Sequence, residues 1–205
     1  MKLYYAPAAC SLASHIALFE AGLKFTALKV DLRHKTLADG SDYRLINAQG
    51  YVPALQLKNG EVLTEGPAIL QYIADQAPAS NLAPANGSFA RYKLQSWLNF
   101  IATELHKNFT PLFDPTAAEA TKSAAQQKLQ QRLTQLDQQL AALQYLVGDY
   151  FAIADAYLFT VAGWARLVKF DLTPYPNLLS FVARCNQRPA VQAALAAEGL
   201  LSKGA

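Results

Sequence analysis

Only two cysteines, Cys10 and Cys185, occur among the 205 residues. That is too few to staple a small secreted fold, so a disulfide scaffold is excluded. Charge is scarce too: Asp, Glu, Lys and Arg together make up 16% of the chain. Eighteen basic against fifteen acidic residues leave a formal net charge of +3. No run of Lys or Arg would neutralise a row of phosphates, so no nucleic-acid partner is expected. Long apolar runs are missing as well. A bilayer span needs about 20 apolar residues. The longest stretch, 156–168, is interrupted by Arg166 and preceded by Asp155; it reads as a buried helix, and no membrane partner is expected. At the N-terminus Lys2 is followed only by Leu3-Tyr4-Tyr5-Ala6 before Pro7, too brief for the apolar region of an export signal. The expectation is a cytoplasmic protein with both thiols reduced.

Hydrophobic residues make up 52% of the sequence, which excludes disorder and supplies a core without staples. Strand signals fall at 2–5, 25–30, 54–57 and 61–64, the last two joined by Lys58-Asn59-Gly60, where Asn-Gly suits a tight hairpin turn. Helical spacing marks 11–21, 66–76 and, more weakly, 42–46. The first part therefore reads βαβαββα. Residues 76–88 carry Pro78, Pro84 and Gly87 and read as a linker. Beyond it every periodic segment is helical: 91–109, 123–146, 153–168, 177–185 and 190–197. The expected organisation is an α/β domain over 1–80 followed by an all-α domain over 87–205.

Several residues could carry chemistry. Cys10 follows the first strand at the mouth of the first helix, where unpaired amides and the helix dipole favour a thiolate. Strand, turn, cysteine, helix is the thioredoxin-like order. The run Cys10-Ser11-Leu12-Ala13 has no second cysteine, so redox chemistry here would go through a mixed disulfide with an external thiol. The plain alternative is a small buried hydrophobe. Val52-Pro53 enters a strand; a cis bond there would bare the preceding backbone for a peptide-like ligand, and an ordinary strand-entry proline is the other reading. Thr64-Glu65-Gly66-Pro67 opens a helix. Glu65 could meet an ammonium and the amides of Glu65 and Gly66 a carboxylate, unless Thr64 and Glu65 merely cap the helix. Asn99, Thr103 and His106 share one helical face, with Lys107 beside them; they border a cleft, or they simply face water or hold a histidine that is satisfied in place. Lys35, in the cluster Arg33-His34-Lys35, could meet a ligand carboxylate or be solvated. Asp155, third residue of its helix, reads as a structural cap, and Cys185 as packing.

The stretches MKLYY at 1–5, Pro7-x-x-Cys10-Ser11-Leu12-Ala13-Ser14-His15, Tyr51-Val52-Pro53-Ala54-Leu55, Leu63-Thr64-Glu65-Gly66, WLNFIATELHK at 97–107 and IADAYLF at 153–159 span essentially the whole chain. Together they closely resemble the glutathione S-transferases, specifically the bacterial beta class. The resemblance implies a thioredoxin-like N-terminal domain, an all-α C-terminal domain, a homodimer, and a glutathione site between the domains. It implies glutathione as co-substrate, with no other cofactor and no metal. Val52 would pair its backbone with the cysteinyl part of the tripeptide, flanked by Tyr51 and Pro53. Glu65 and Gly66 would hold the γ-glutamyl end with Asn99 nearby, and Lys35 would lie near the glycyl carboxylate. Thr103, His106 and Lys107 would approach from the helical side, His106 and Cys10 serving the sulfur. Two departures stand out. Gly66 replaces a serine common in the class, and Ala152 replaces the Ser or Thr that usually caps the helix at Ile153.

The expected activity is conjugation of glutathione to apolar electrophiles, accompanied by thiol–disulfide exchange through Cys10. A glutathione-dependent disulfide reductase and a non-catalytic ligand carrier of the same fold are the alternatives. Phe109, Phe113, Trp164 and Lys169 could build the electrophile site.

Overall fold

The computed structural model describes residues 1–201 and divides them into two compact units. The first comprises Met1–Ala83 together with the segment from Gln187 onward; the second is Pro84–Asn186.

In the first unit a five-stranded mixed sheet runs in the order β3-β2-β1-β4-β5. Its strands are β1 (Lys2–Tyr5), β2 (Thr26–Asp31), β3 (Thr36–Leu37), β4 (Ala54–Gln56) and β5 (Val62–Thr64). β1 pairs in parallel with β2, through the crossover helix α1 (Ser11–Glu20), and antiparallel with β4. The hairpin β4–β5 turns at Gly60, whose φ of +91° suits a residue without Cβ. Strand alternation sorts the faces. Tyr4 and Ala54 join Val30, Tyr43 and Val52 in one buried cluster, while Leu3 and Leu55 are buried on the opposite side of their strands. α2 (Gly66–Gln76) packs against α1. The expected helix near 42–46 is a single 3₁₀ turn, Tyr43–Leu45, capped by Asp42. β3 was not legible, because two residues are too few to alternate.

The second unit is helical. Ser88 caps α3 (Phe89–Phe100) by accepting from the Arg91 amide. The ladder then widens into a π-helical stretch, Ile101–His106, before α4 (Lys107–Phe113). α5 (Glu119–Leu140) starts and ends earlier than its Gln- and Leu-rich pattern suggests, burying Ala125, Leu129, Leu133, Leu136 and Leu140. α6 (Ile153–Leu167) is the unit's buried helix, and α7 (Pro176–Asn186) closes it. α8 (Pro189–Ala197), expected in the helical domain, packs on α1 in the first unit. Glu198, just past its end, reaches back to His15 and to the amide of Ala8.

Candidate active site

Cys10 occupies the N-cap of α1. The turn before it is fixed from inside: the Ser11 hydroxyl bonds both the amide and the carbonyl of Ala6, and Glu198 accepts from the Ala8 amide at 3.0 Å. The Cys10 thiol donates to the Val52 carbonyl at 3.1 Å, and Val52-Pro53 is cis. The helix mouth was expected to depress the thiol. It does not: burial pushes Cys10 up to about 11, outweighing the lowering by the Cys10 and Ser11 amides, and the charge of Glu65 adds to the rise. Cys10 is therefore a hydrogen-bond donor at rest, not a thiolate.

The loop that presents Val52 is anchored by its neighbours. The carbonyl of Tyr51 accepts from the Tyr43 hydroxyl and from the Asn47 amide, both at 2.8 Å. The Tyr51 ring itself is 66% exposed. Lys35 donates to the Gly50 carbonyl at 2.9 Å, its ammonium 5.4 Å from the centre of the Tyr51 ring. Gly50 sits at φ +66°, and a Cβ there would come within 3.0 Å of the Lys35 stem. Cys10, Lys35, Tyr51, Val52 and Pro53 are thus tied to one framework in the first unit.

Glu65 precedes α2 with φ +67° and ψ 116°, a sparsely populated positive-φ conformation that a non-glycine residue adopts at a cost of about 1–3 kcal/mol. Its side chain makes no capping bond and is exposed. Capping therefore does not account for this carboxylate. Only its carbonyl enters the helix, accepting from Ala68 and Ile69. Gly66 and Pro67 form the first positions of the helix.

Asn99, Thr103, His106 and Lys107 all lie in the second unit, on or beside the π stretch. The 100° spacing used to group them does not hold across that stretch, since its hydrogen bonds span five residues. Side-chain donors supplement its carbonyls: Thr103 donates to Asn99 O at 3.0 Å and Asn108 to Glu104 O at 2.8 Å. Arg132 holds Glu104 at 2.6 Å. Asn99 and Lys107 are exposed. His106 is mostly enclosed, its ring edge-on to Trp164 with centroids 4.6 Å apart and Nδ1 2.7 Å from the Tyr157 hydroxyl. Burial first, and then Lys107, lowers His106 to about 4, so the imidazole is neutral at neutral pH.

Among the residues suggested for an electrophile, Phe109 and Trp164 are only 1% and 6% exposed and serve as packing, whereas Phe113 is 45% exposed. Sequence reasoning missed Tyr157 as the partner of His106, and Tyr43 as the post behind Tyr51. A phenol hydroxyl on the buried, mostly apolar helix α6 was the available signal for the first. A cavity of about 700 Å³ lined by His15, Phe19 and Phe25 includes none of the expected site residues. Among the described residues no group of three His, Cys, Asp or Glu side chains could hold a metal ion, and no helix is long and apolar enough to cross a membrane.

Comparison with known proteins gives this arrangement its class. Residues 9–76 match the glutathione S-transferase N-terminal domain and residues 100–189 the glutathione S-transferase C-terminal domain. The chain is 50% identical over 200 residues to the glutathione S-transferase GstA of Escherichia coli O157:H7, covering 98% of this chain and 100% of that one. It is similar to the structure of the bacterial transferase BphK in a ternary complex, with TM-score 0.97, 57% identity, and 98% and 100% of the two chains covered. It is likewise similar to the beta-class glutathione S-transferase of Sphingomonas chungbukensis, with TM-score 0.95, 48% identity and the same coverage. The chain belongs to the glutathione S-transferase family, and its neighbours are bacterial beta-class members.

Proposed function

We propose that this protein is a glutathione transferase that joins reduced glutathione to apolar electrophiles. The family membership carries this reading, supported by Glu65: an exposed carboxylate held on a strained positive-φ backbone at a helix start, with no capping role. Glu65 receives the γ-glutamyl ammonium and the Gly66 amide its carboxylate, with Asn99 alongside. Val52 pairs its backbone with the cysteinyl part, between Tyr51 and Pro53, and Lys35 neutralises the glycyl carboxylate. Thr103 and His106 serve the sulfur from the helical unit, and Lys107 belongs to the glutathione site beside them. In the reaction the glutathione thiol gives its proton to water, and the thiolate attacks an electrophilic carbon. A carbon–sulfur bond forms while the leaving group departs with its electron pair.

Cys10 adds a thiol–disulfide exchange. Its thiolate attacks oxidised glutathione, forms a mixed disulfide and releases one reduced glutathione, which takes up the proton. A homodimer in the cytoplasm is part of the same proposal; Phe89 and Tyr92, exposed three residues apart on α3, offer an apolar patch. The test is a panel of apolar electrophiles with reduced glutathione on the wild type and on Glu65→Ala. Conjugation by the wild type, with a markedly raised glutathione KM in the variant, is expected. A folded wild type that neither conjugates nor is retained on immobilised glutathione overturns the reading in favour of a non-catalytic carrier.

A further inference from the structure

We infer that Tyr157 is a positioning residue for His106. Its hydroxyl, 2.7 Å from Nδ1, fixes the imidazole as the tautomer that carries its proton on Nε2, so that His106 serves the glutathione sulfur as a hydrogen-bond donor and not as a base. The inference rests on the reading above, in which His106 serves that sulfur, and decides how it does so.

A neutral imidazole has one donor and one acceptor nitrogen, and the partner of one nitrogen sets the role of the other. A phenol is the stronger acid of the two groups and an imidazole nitrogen the stronger base, so the shared hydrogen lies on the tyrosine oxygen and points to Nδ1. The geometry leaves the pair little freedom. Tyr157 is 3% exposed and lies on α6, where every residue from Ile153 to Ala162 is buried. The His106 ring meets Trp164 edge-on at 80° and Tyr157 at 79°. Turning the ring over would take Nδ1 off the hydroxyl. Among the described residues Nε2 has no protein partner. Burial and Lys107 keep the ring uncharged near neutral pH. A thiolate only accepts hydrogen bonds, so an Nε2–H stabilises it, while a bare Nε2 would repel its lone pairs. The thiol proton then leaves to water, and His106 never takes it up.

The test is the long-range proton–nitrogen spectrum of the histidine rings in the full-length ¹⁵N-labelled protein. His106→Gln identifies the His106 signals among the three histidines. The wild type is expected to show the Nε2–H pattern, a result that needs no variant to fold. Tyr157→Phe is expected to show mixed tautomers. It should also raise the apparent pKa of bound glutathione, read from its ultraviolet thiolate absorbance. Its kcat should fall about 10-fold, the lower range for losing a hydrogen bond to a charged group, with the glutathione KM nearly unchanged. An Nδ1–H pattern in the wild type overturns the inference, and so does a Tyr157→Phe protein whose ring pattern and thiolate titration match the wild type. A wild type that binds no glutathione overturns the functional reading and the sulfur role with it. The ring spectrum, which requires no glutathione, tells these failures apart.

Discussion

Cys10 and His106 depart in opposite directions from their ordinary pKa values, and one physical cause serves both. Burial disfavours the charged form, which raises an acid and lowers a base. For Cys10, near 11, the thiolate fraction grows with pH throughout the neutral and mildly alkaline range. Its reaction with a small neutral disulfide is expected to accelerate roughly tenfold per pH unit between about pH 7 and pH 10. A stopped-flow profile that levels off below pH 8 would refute this; Cys185, fully buried, stays silent. For His106 the folded pKa of about 4 lies below the ordinary value of 6.5. The unfolded chain therefore binds the proton first, and stability falls as pH drops from 6.5 toward 4. His106→Gln should flatten that part of the pH–stability curve by on the order of 2 kcal/mol, measured by denaturant titration at each pH. The identities of Cys10, Glu65 and His106 were legible in the sequence. The surroundings of Cys10 and His106 were not, since Val52 and Tyr157, which pack on them, lie far along the chain.

Among the elements, α6 and the π stretch show what local pattern can and cannot announce. Asp155 was readable as a cap, and it is one: its carboxylate accepts from the amides of Leu146 at 2.9 Å and Ala152 at 2.8 Å, with no exposure. Ala152 supplies no side-chain acceptor, so only the aspartate arm of the capping box exists. Asp155→Ala strands two buried amides and is expected to cost about 3 kcal/mol. Ala152→Ser restores the missing arm on an N-cap that already has extended backbone angles, φ −126° and ψ 172°. It should add about 0.5–2 kcal/mol. Thermal unfolding of both variants checks the pair, and a serine variant no more stable than the wild type would deny the missing-arm account. The widening at Ile101–His106 left no trace in the apolar pattern, because Ile101 and Leu105 stay buried through it.

At the scale of the molecule, the contacts that define the first unit join the two ends of the sequence. Glu198 lies 183 residues from His15 and 190 from Ala8, and it binds both. Arg188 adds a two-pronged bond to Glu20 at 2.6 and 2.9 Å. Glu198→Ala removes the carboxylate that meets the buried His15 imidazole and accepts from the half-buried Ala8 amide. It is expected to destabilise the protein by about 1–3 kcal/mol, seen as a lowered denaturation midpoint. A midpoint unchanged from the wild type would show that α8 is a passive appendage. Sedimentation of the full-length protein is expected to give twice the chain mass; a species of single-chain mass at micromolar concentration would remove the homodimer from the proposal.

Local chemistry reaches a few residues along the chain, and within that range the sequence determined most of what is seen: the hairpin at Gly60, the strands β1, β2, β4 and β5 with the helices α1 and α2, though not the two-residue β3, the cysteine without a resolving partner, the capping aspartate. Three things waited for the tertiary structure. α8 belongs with the sheet because its partner α1 lies at the other end of the chain. Cys10 is a thiol because desolvation, a sum over everything packed around it, exceeds the pull of two local amides. His106 has a defined donor face because Tyr157, fifty-one residues away, is folded against it. Each depends on what burial brings near, and no local spacing encodes that.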